Sequence, residues 1–391
     1  MAKSASSSRR LWFVAHSWLG LPIWAFLLFV CLTGTIATVS QEIMWLADPA
    51  TRANPPSEDA RPLGYDDVMA AVEQQRPGVR LHEMTQPVKP QFALIVEAVT
   101  PDGEQQTYYV NPYDGTIQGE QSWFDFREFI RALHGWLLTP FNGGYAIGWY
   151  AVSALSIPLM GSLVTGIVVH KKFWRLYLNP RLRISKGARI FWGDLHRLVA
   201  IWSLPFIAII SVTAMWFLAE AILYANNVTV AATPPPAVLA RDAVPKIERG
   251  EAPPEISIDA AIAAIKEKHP DFSPGIVEAP ETAYGHVTVY GRGAYPLIYE
   301  EVKVDPYSNE VSRSRMVSDR TALELVTESM RPLHVGDFAG IWLKLVYFLF
   351  GLMLTGMVFS GMLIWMKRTA SATRAVIRDV GVPRPFPEPA E

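Results

Sequence analysis

The chain has 391 residues, 50% of them hydrophobic and 12% aromatic, with a formal net charge of −2. That balance gives no electrostatic reason to expect nucleic acid, and the single cysteine, Cys31, excludes a disulfide framework and any cysteine-rich metal or attachment motif. The apolar residues are bunched rather than spread, which is the distribution of a membrane protein embedded in a lipid bilayer.

In chain order, residues 1–10 form a short basic start with Lys3, Arg9 and Arg10. Leu11 to Ile43 is the first of four windows able to cross about 30 Å of hydrocarbon, which takes roughly 20 helical residues. Its apolar run is about twice that of a signal peptide and no small-x-small site closes it, so residues 11–45 read as an uncleaved transmembrane helix. Residues 46–125 are polar. "YDDVMAAVEQQRPG" has an amphipathic-helix pattern, and the alternating segments "RLHEMT", "FALIVEAV" and "QTYYV" lead to the turn "NPYDG", which together predict a small α+β unit. Residues 126–170 hold a lead-in helix and transmembrane helix 2, with its apolar window from Gly144 to Val169. The segment 171–189 carries seven Lys or Arg and no acid.

Transmembrane helix 3 follows over 190–224. Residues 225–325 hold a Pro-rich linker and a second α+β unit, with "SIDAAIAAIKEKHPD" as its helix, "HVTVYG" and "LIYEEVKV" as strands and "DPYSN" as the closing turn. A second lead-in segment and transmembrane helix 4 occupy 326–367, and 368–391 form a tail that starts with Arg368. Lys and Arg flank the cytoplasmic ends of membrane helices. Both termini and the 171–189 loop are therefore expected in the cytoplasm, and both polar units outside, which in a bacterium is the periplasm.

The chain repeats itself. Aligning His16 with His196 also aligns Trp12 with Trp192 and Thr33 with Thr213. "RALHGWLL" at Arg131 is echoed by "RPLHVGDF" at Arg331, and "TGIVVHKKFW" by "SGMLIWMKRT". The expected fold class is thus an α-helical membrane protein with four transmembrane helices plus two small periplasmic α+β domains, a tandem duplication of helix, domain, helix. The polar units resemble PepSY domains, and the helices with their four symmetric histidines resemble the PepSY-associated transmembrane family, across roughly residues 9–368.

Histidines at membrane depth read as functional by default. His16 and His196 lie near the cytoplasmic ends of helices 1 and 3, and His134 and His334 at the outer thresholds of helices 2 and 4. Zinc wants three or four protein ligands, whereas haem iron needs only two axial ones because the porphyrin supplies four. The pairs His16 with His196 and His134 with His334 therefore suit two b-type haems. Arg131 and Arg331, three residues before the outer histidines, are candidate propionate partners, and Asp194 and Asp337 are candidate acceptors that orient an imidazole. His170 either replaces one inner ligand or simply ends a helix whose C-terminus favours a cation. His82, His269 and His286 are expected to be surface residues.

The family resemblance implies an inner-membrane, haem-dependent ferric-siderophore reductase that serves iron acquisition, with no catalytic residue beyond the haems. The chain has no G-x-G-x-x-G after a strand, so the electrons are expected from a quinol or a separate cytoplasmic reductase. The alternatives are a non-enzymatic anchored PepSY module that binds a peptide or protease, and an accessory component of siderophore transport.

Overall fold

The computed structural model describes residues 12–19, 23–57, 59–86, 89–169, 173–230, 237–248, 251 and 254–381. The first apolar window forms α1 (Trp12–Leu19) and α2 (Trp24–Thr38), followed by α3 (Ser40–Ala47) and α4 (Tyr65–Gln75). Strands β1 (Arg80–Thr85), β2 (Leu94–Val99), β3 (Gln105–Val110) and β4 (Ile117–Glu120) come next. Then follow α5 (Phe126–Trp136), α6 (Ile147–Ala154), α7 (Ser156–Val169), α8 (Phe173–Leu178), α9 (Ala188–Trp202) and α10 (Leu204–Ala225). The second polar stretch folds as α11 (Ile258–Lys268), β5 (Ser273–Glu278), β6 (Val287–Arg292), β7 (Glu300–Val304) and β8 (Val311–Arg315), followed by α12 (Ala322–Val335) and α13 (Gly340–Gly381).

Among the described residues three segments are long and apolar enough to cross a membrane, Ile147–Val169, Leu204–Ala225 and Gly340–Met366; α1 and α2 make a fourth if they form one span. Two interruptions trace to proline, which lacks the N–H that would bond four residues back. Pro158 leaves the Ala154 carbonyl without that bond where α6 gives way to α7, and Pro205 does the same to Ile201 where α9 gives way to α10. In the bundle, α13 packs on α2 and α9, while α10 packs on α6, α7 and α12. Leu159, Phe206, Ile207, Tyr347 and Leu354 form its centre. Phe29, Ile157, Val164, Val212, Leu349 and Leu352 point outward and exposed, as an apolar face covered by lipid requires.

The two polar stretches do not fold as separate bodies. Their strands form one antiparallel sheet in the order β4-β3-β2-β1-β5-β6-β7-β8. The join is β1 on β5, with Met84 opposite Val277, and it removes one exposed edge from each half. Strand β5, "SPGIVE", has no counterpart among the expected strands because Pro274 and Gly275 mask its pattern. On one face α4 covers Met84, Val96 and Ala98, and α11 covers Val277, Val289 and Val302. The helix starts hold each other: Asp259 accepts from the amides of Tyr65 and Asp66, and Asp66 accepts from the Ile258 amide and the Ser257 hydroxyl. Anionic side chains at helix N-termini satisfy amides that no carbonyl reaches.

The other face of the sheet turns toward the helix ends. Ile95 and Tyr109 line a small cleft with Gln41 and Met44 of α3, and Arg292 shares a larger one with Trp149 and Phe217. The closing turns "NPYDG" and "DPYSN" place Gly115 at φ +71° and Asn309 at φ +56°, the left-handed conformation that glycine and asparagine tolerate best.

Candidate functional site: two facing histidine pairs

His134 lies in the last turn of α5 and His334 in the last turn of α12. Asp125 caps the start of α5 by accepting from the Glu128 amide, and Thr321 with Glu324 forms a capping box on α12. Both helices stop just after the histidine on a left-handed residue, Leu137 at φ +55° and Gly336 at φ +76°. The first copy carries the strain of two non-glycine positions there, Leu137 and Leu138, in its longer connection to α6, yet its histidine still reaches its counterpart. His16 on α1 and His196 on α9 sit at the opposite end of the bundle.

The structure brings the four residues together as the sequence pairs them. The ring centres of His134 and His334 are 6.2 Å apart, and those of His16 and His196 are 6.5 Å apart. Metal–imidazole bonds are about 2.0 Å, and with roughly 1.1 Å from ring nitrogen to ring centre, two imidazoles in line across one ion have ring centres about 6.2 Å apart. Both pairs match that separation.

The hydrogen bonds settle which nitrogen faces the gap. Nδ1 of His134 donates to the Val30 carbonyl at 3.0 Å, and Nδ1 of His196 donates to the Met357 carbonyl at 3.0 Å with Ser360 Oγ at 3.1 Å. A carbonyl can only accept, so the proton is on Nδ1. Nδ1 of His334 meets Thr213 Oγ1 at 2.8 Å, and Nδ1 of His16 meets Thr165 Oγ1 at 3.0 Å. Those hydroxyl protons are committed elsewhere, Thr213 to the Ile209 carbonyl and Thr165 to the Gly161 carbonyl, each at 2.7 Å. Their oxygens therefore accept from Nδ1–H. All four Nε2 atoms keep the lone pair that a metal takes, with the ring fixed from behind.

Thr33 and Thr213 align in the repeat, and Thr33 Oγ1 lies 3.5 Å from His134 Nδ1, at the edge of hydrogen bonding. Repetition in the sequence marked these threonines, and Thr165 with Ser360 at the start of the two echoed segments, without assigning them a role; the two carbonyls carry no such mark. The expected aspartate acceptors are not used. Asp194 is buried in an ion pair with Arg183 at 2.8 Å and a second with Arg197, and Asp337 offers its main-chain carbonyl to Arg292. Arg131 bonds Glu128 at 2.7 Å, whereas Arg331 lines a cavity beside His334. His170 lies outside the described residues. Of the remaining histidines, His269 bonds Ser314 at 2.9 Å, His82 lies 3.9 Å from Glu281, and His286 is buried rather than at the surface. Its burial pushes its pKa down.

The layers stand well apart. His196 precedes Thr213, which holds His334, by 17 residues along α9 and α10, a rise of roughly 25 Å at 1.5 Å per residue. Close glycines make room for the rings: a Cβ on Gly34 would lie 2.5 Å from His134 Cε1, and one on Gly361 would lie 3.3 Å from His196 Cε1. No cluster of three or more His, Cys, Asp or Glu capable of holding an ion occurs among the described residues. Each site thus offers two imidazole nitrogens at a separation that one ion can bridge.

A search of curated proteins gives no significant match. The model of the PepSY-associated TM region matches residues 13–368. The chain belongs to that family.

Proposed function

We propose that this member of the PepSY-associated membrane family is a di-haem oxidoreductase of the bacterial inner membrane. It reduces ferric siderophores or other ferric chelates in the periplasm and releases Fe(II) for uptake. The observation that supports it most is the set of four imidazoles, paired at in-line metal spacing with every Nδ1 proton tied off. A donor set of two nitrogens and nothing more fits iron held in a porphyrin, which supplies the other four ligands. Each haem, when bound, supplies an iron that cycles between Fe(III) and Fe(II) and so moves single electrons.

The chain's own residues have defined tasks in this reading. His16 and His196 hold one group at the cytoplasmic end, and His134 and His334 the other at the periplasmic end. Thr165, Thr213, Ser360 and the carbonyls of Val30 and Met357 keep each imidazole in one tautomer and raise its basicity as a ligand. The topology uses four crossings, with α1 and α2 as one, both termini cytoplasmic and the two PepSY-like halves of the sheet in the periplasm. Hard oxygen ligands hold Fe(III) far better than Fe(II), so one-electron reduction loosens the metal and needs no nucleophile or proton-transfer base. A quinol or a cytoplasmic reductase supplies the electrons. An anchored binding module or a transport accessory would have no use for four histidines locked in one tautomer at two depths.

The test is the absorption spectrum and haem content of the detergent-purified chain. Two bis-histidine haems are expected. His134→Ala and His334→Ala should each remove the same spectral component, and His16→Ala and His196→Ala the other. A colourless protein after expression with added haem overturns the reading, and loss of the second component on His170→Ala with His16→Ala silent overturns the inner pairing.

A further inference from the structure

At the sheet-side end of the second copy, a cavity of about 360 Å³ opens between α6, α10, α12 and the residues joining β6 to β7. It adjoins the histidine pair there. Phe217, in its wall, lies 5.3 Å from the His334 ring, and Arg331, also in the wall, stands one helical turn before His334. Arg292 reaches it from the sheet, fixed by stacking on Tyr299 at 4.6 Å and by donating from Nη1 to the Asp337 carbonyl at 3.4 Å.

Two buried polar atoms of this wall have no hydrogen-bond partner among the described residues, Arg292 Nε and Thr327 Oγ1. Buried donors are rarely left so. Glu328, the nearest carboxylate along α12, is already taken by Arg315 and Arg320. Neither Arg292 nor Arg331 forms an ion pair among the described residues. A guanidinium with a spare N–H, a hydroxyl beside it and a second guanidinium at the rim are the donors that a carboxylate's two oxygens use. Glu220 and Asp337 share the cavity, so a small diffusible anion fits it less well than a carboxylate tethered to a larger body.

We propose that this cavity binds a carboxylate through Arg292 and Thr327, with Arg331 at its rim. The carboxylate has two sources: a propionate of the porphyrin between His134 and His334, in which case the inference rests on the di-haem reading, or a carboxylate of the arriving ferric chelate. The repeat does not predict the site, because the first-copy strand position equivalent to Arg292 is Val99, whose side chain carries no donor.

The experiment uses the full chain in detergent with Arg292→Gln, Arg292→Lys and Thr327→Val, and Arg76→Gln, which is paired with Glu120 in the other half of the sheet, as a control outside the cavity. In one arm, haem-depleted protein is refilled with haem or with its dimethyl ester, which masks both propionates, and haem retention and the midpoint potential of the His134/His334 component are measured. In the other, calorimetric titration compares ferric citrate with an uncharged ferric trihydroxamate.

A porphyrin source predicts that Arg292→Gln weakens haem retention about tenfold and lowers the midpoint with haem, and that both differences vanish with the ester. A chelate source predicts about tenfold weaker ferric citrate binding and unchanged trihydroxamate binding. Arg292→Lys should fall between wild type and Arg292→Gln in whichever arm responds. Unchanged behaviour of Arg292→Gln and Thr327→Val in both arms overturns the proposal while the di-haem reading stands. A wild-type chain that takes up no haem overturns that reading instead, and the citrate arm alone then decides the site.

Discussion

At the sheet-side end of the first copy, Glu42 of α3 lies between Lys89 and Lys344, paired with both, and the three side chains are nearly shut off from solvent. The residue that aligns with Lys344 is Trp149 of the first copy, by the same step that relates Thr165 to Ser360, and beside it lies the cavity of Arg292 and Thr327, with donors unused among the described residues. One end is closed around an ion-paired carboxylate, and its twin is left open. The histidines and their threonine acceptors keep their two-fold relation because two ligands must converge on one object. The surroundings depart from it, which is expected where only one copy has a further group to hold.

The largest expected effect comes from breaking the closed side. Glu42→Gln leaves two ammonium groups buried together, and removing one partner of a buried ion network costs about 3 kcal/mol or more. Thermal unfolding in detergent should fall by many degrees, while Arg292→Gln, which removes a charge that has no ionic partner, should shift it little. Equal losses would mean that the open cavity is as structurally filled as the closed one.

Gly34→Ala sharpens the comparison at the histidines. The aligned position in the second copy is Ala214, so that copy already carries the methyl group. In the first, the new Cβ would meet His134 Cε1 at 2.5 Å and Nδ1 at 2.9 Å. Displacing a packed ring costs about 1–3 kcal/mol. The spectral component that His134→Ala removes should weaken or shift, and the one tied to His16 and His196 should not.

The repeat made the ligands legible, because His134 and His334 recur with the same Leu-His neighbours and Thr33 recurs with His16. The amphipathic helices α4 and α11 and the strands β1, β2, β3 and β6 follow their periodicity closely. Missing from that reading were contacts between copies. The β1–β5 pairing depends on a strand whose proline and glycine hide it, and the acceptors of Nδ1 are partly main-chain carbonyls that no side-chain pattern can mark. The cavity was illegible for a related reason: Arg292 lies 39 residues before Arg331, on a different element, and only folding brings them to one wall.

The crossed helix caps offer a more symmetric test at smaller cost. Asp66→Ala strands the amide of Ile258 and the hydroxyl of Ser257, and Asp259→Ala strands the amides of Tyr65 and Asp66. Each should lower stability by about 1–2 kcal/mol, the range for loss of a helix cap. Because each aspartate holds the other half's helix, amide exchange should rise in the opposite half of the sheet domain. Exchange confined to the mutated half would show that the two halves are held by β1–β5 alone.

The smallest effect concerns the row of carboxylates across that join, where Glu83 faces Glu97 on one side and Glu278 on the other. Burial first, and the Glu83 charge second, hold both Glu97 and Glu278 above the usual carboxylate value of 4.5. A carboxyl with a raised pKa binds its proton more tightly in the folded state than in the unfolded one. Stability contributed by that proton is therefore present at low pH and declines as pH rises above 4.5 through the folded values. Glu83→Gln removes the repulsion while keeping a hydrogen-bonding side chain of the same length. The variant should be more stable than wild type at pH 7 by a few tenths of a kcal/mol, since solvent screens groups this exposed. The gap should narrow as pH falls through the folded values, where the neighbours take up their protons and lose the charge that Glu83 repels. A gap that persists at low pH would point to packing rather than charge as the cause.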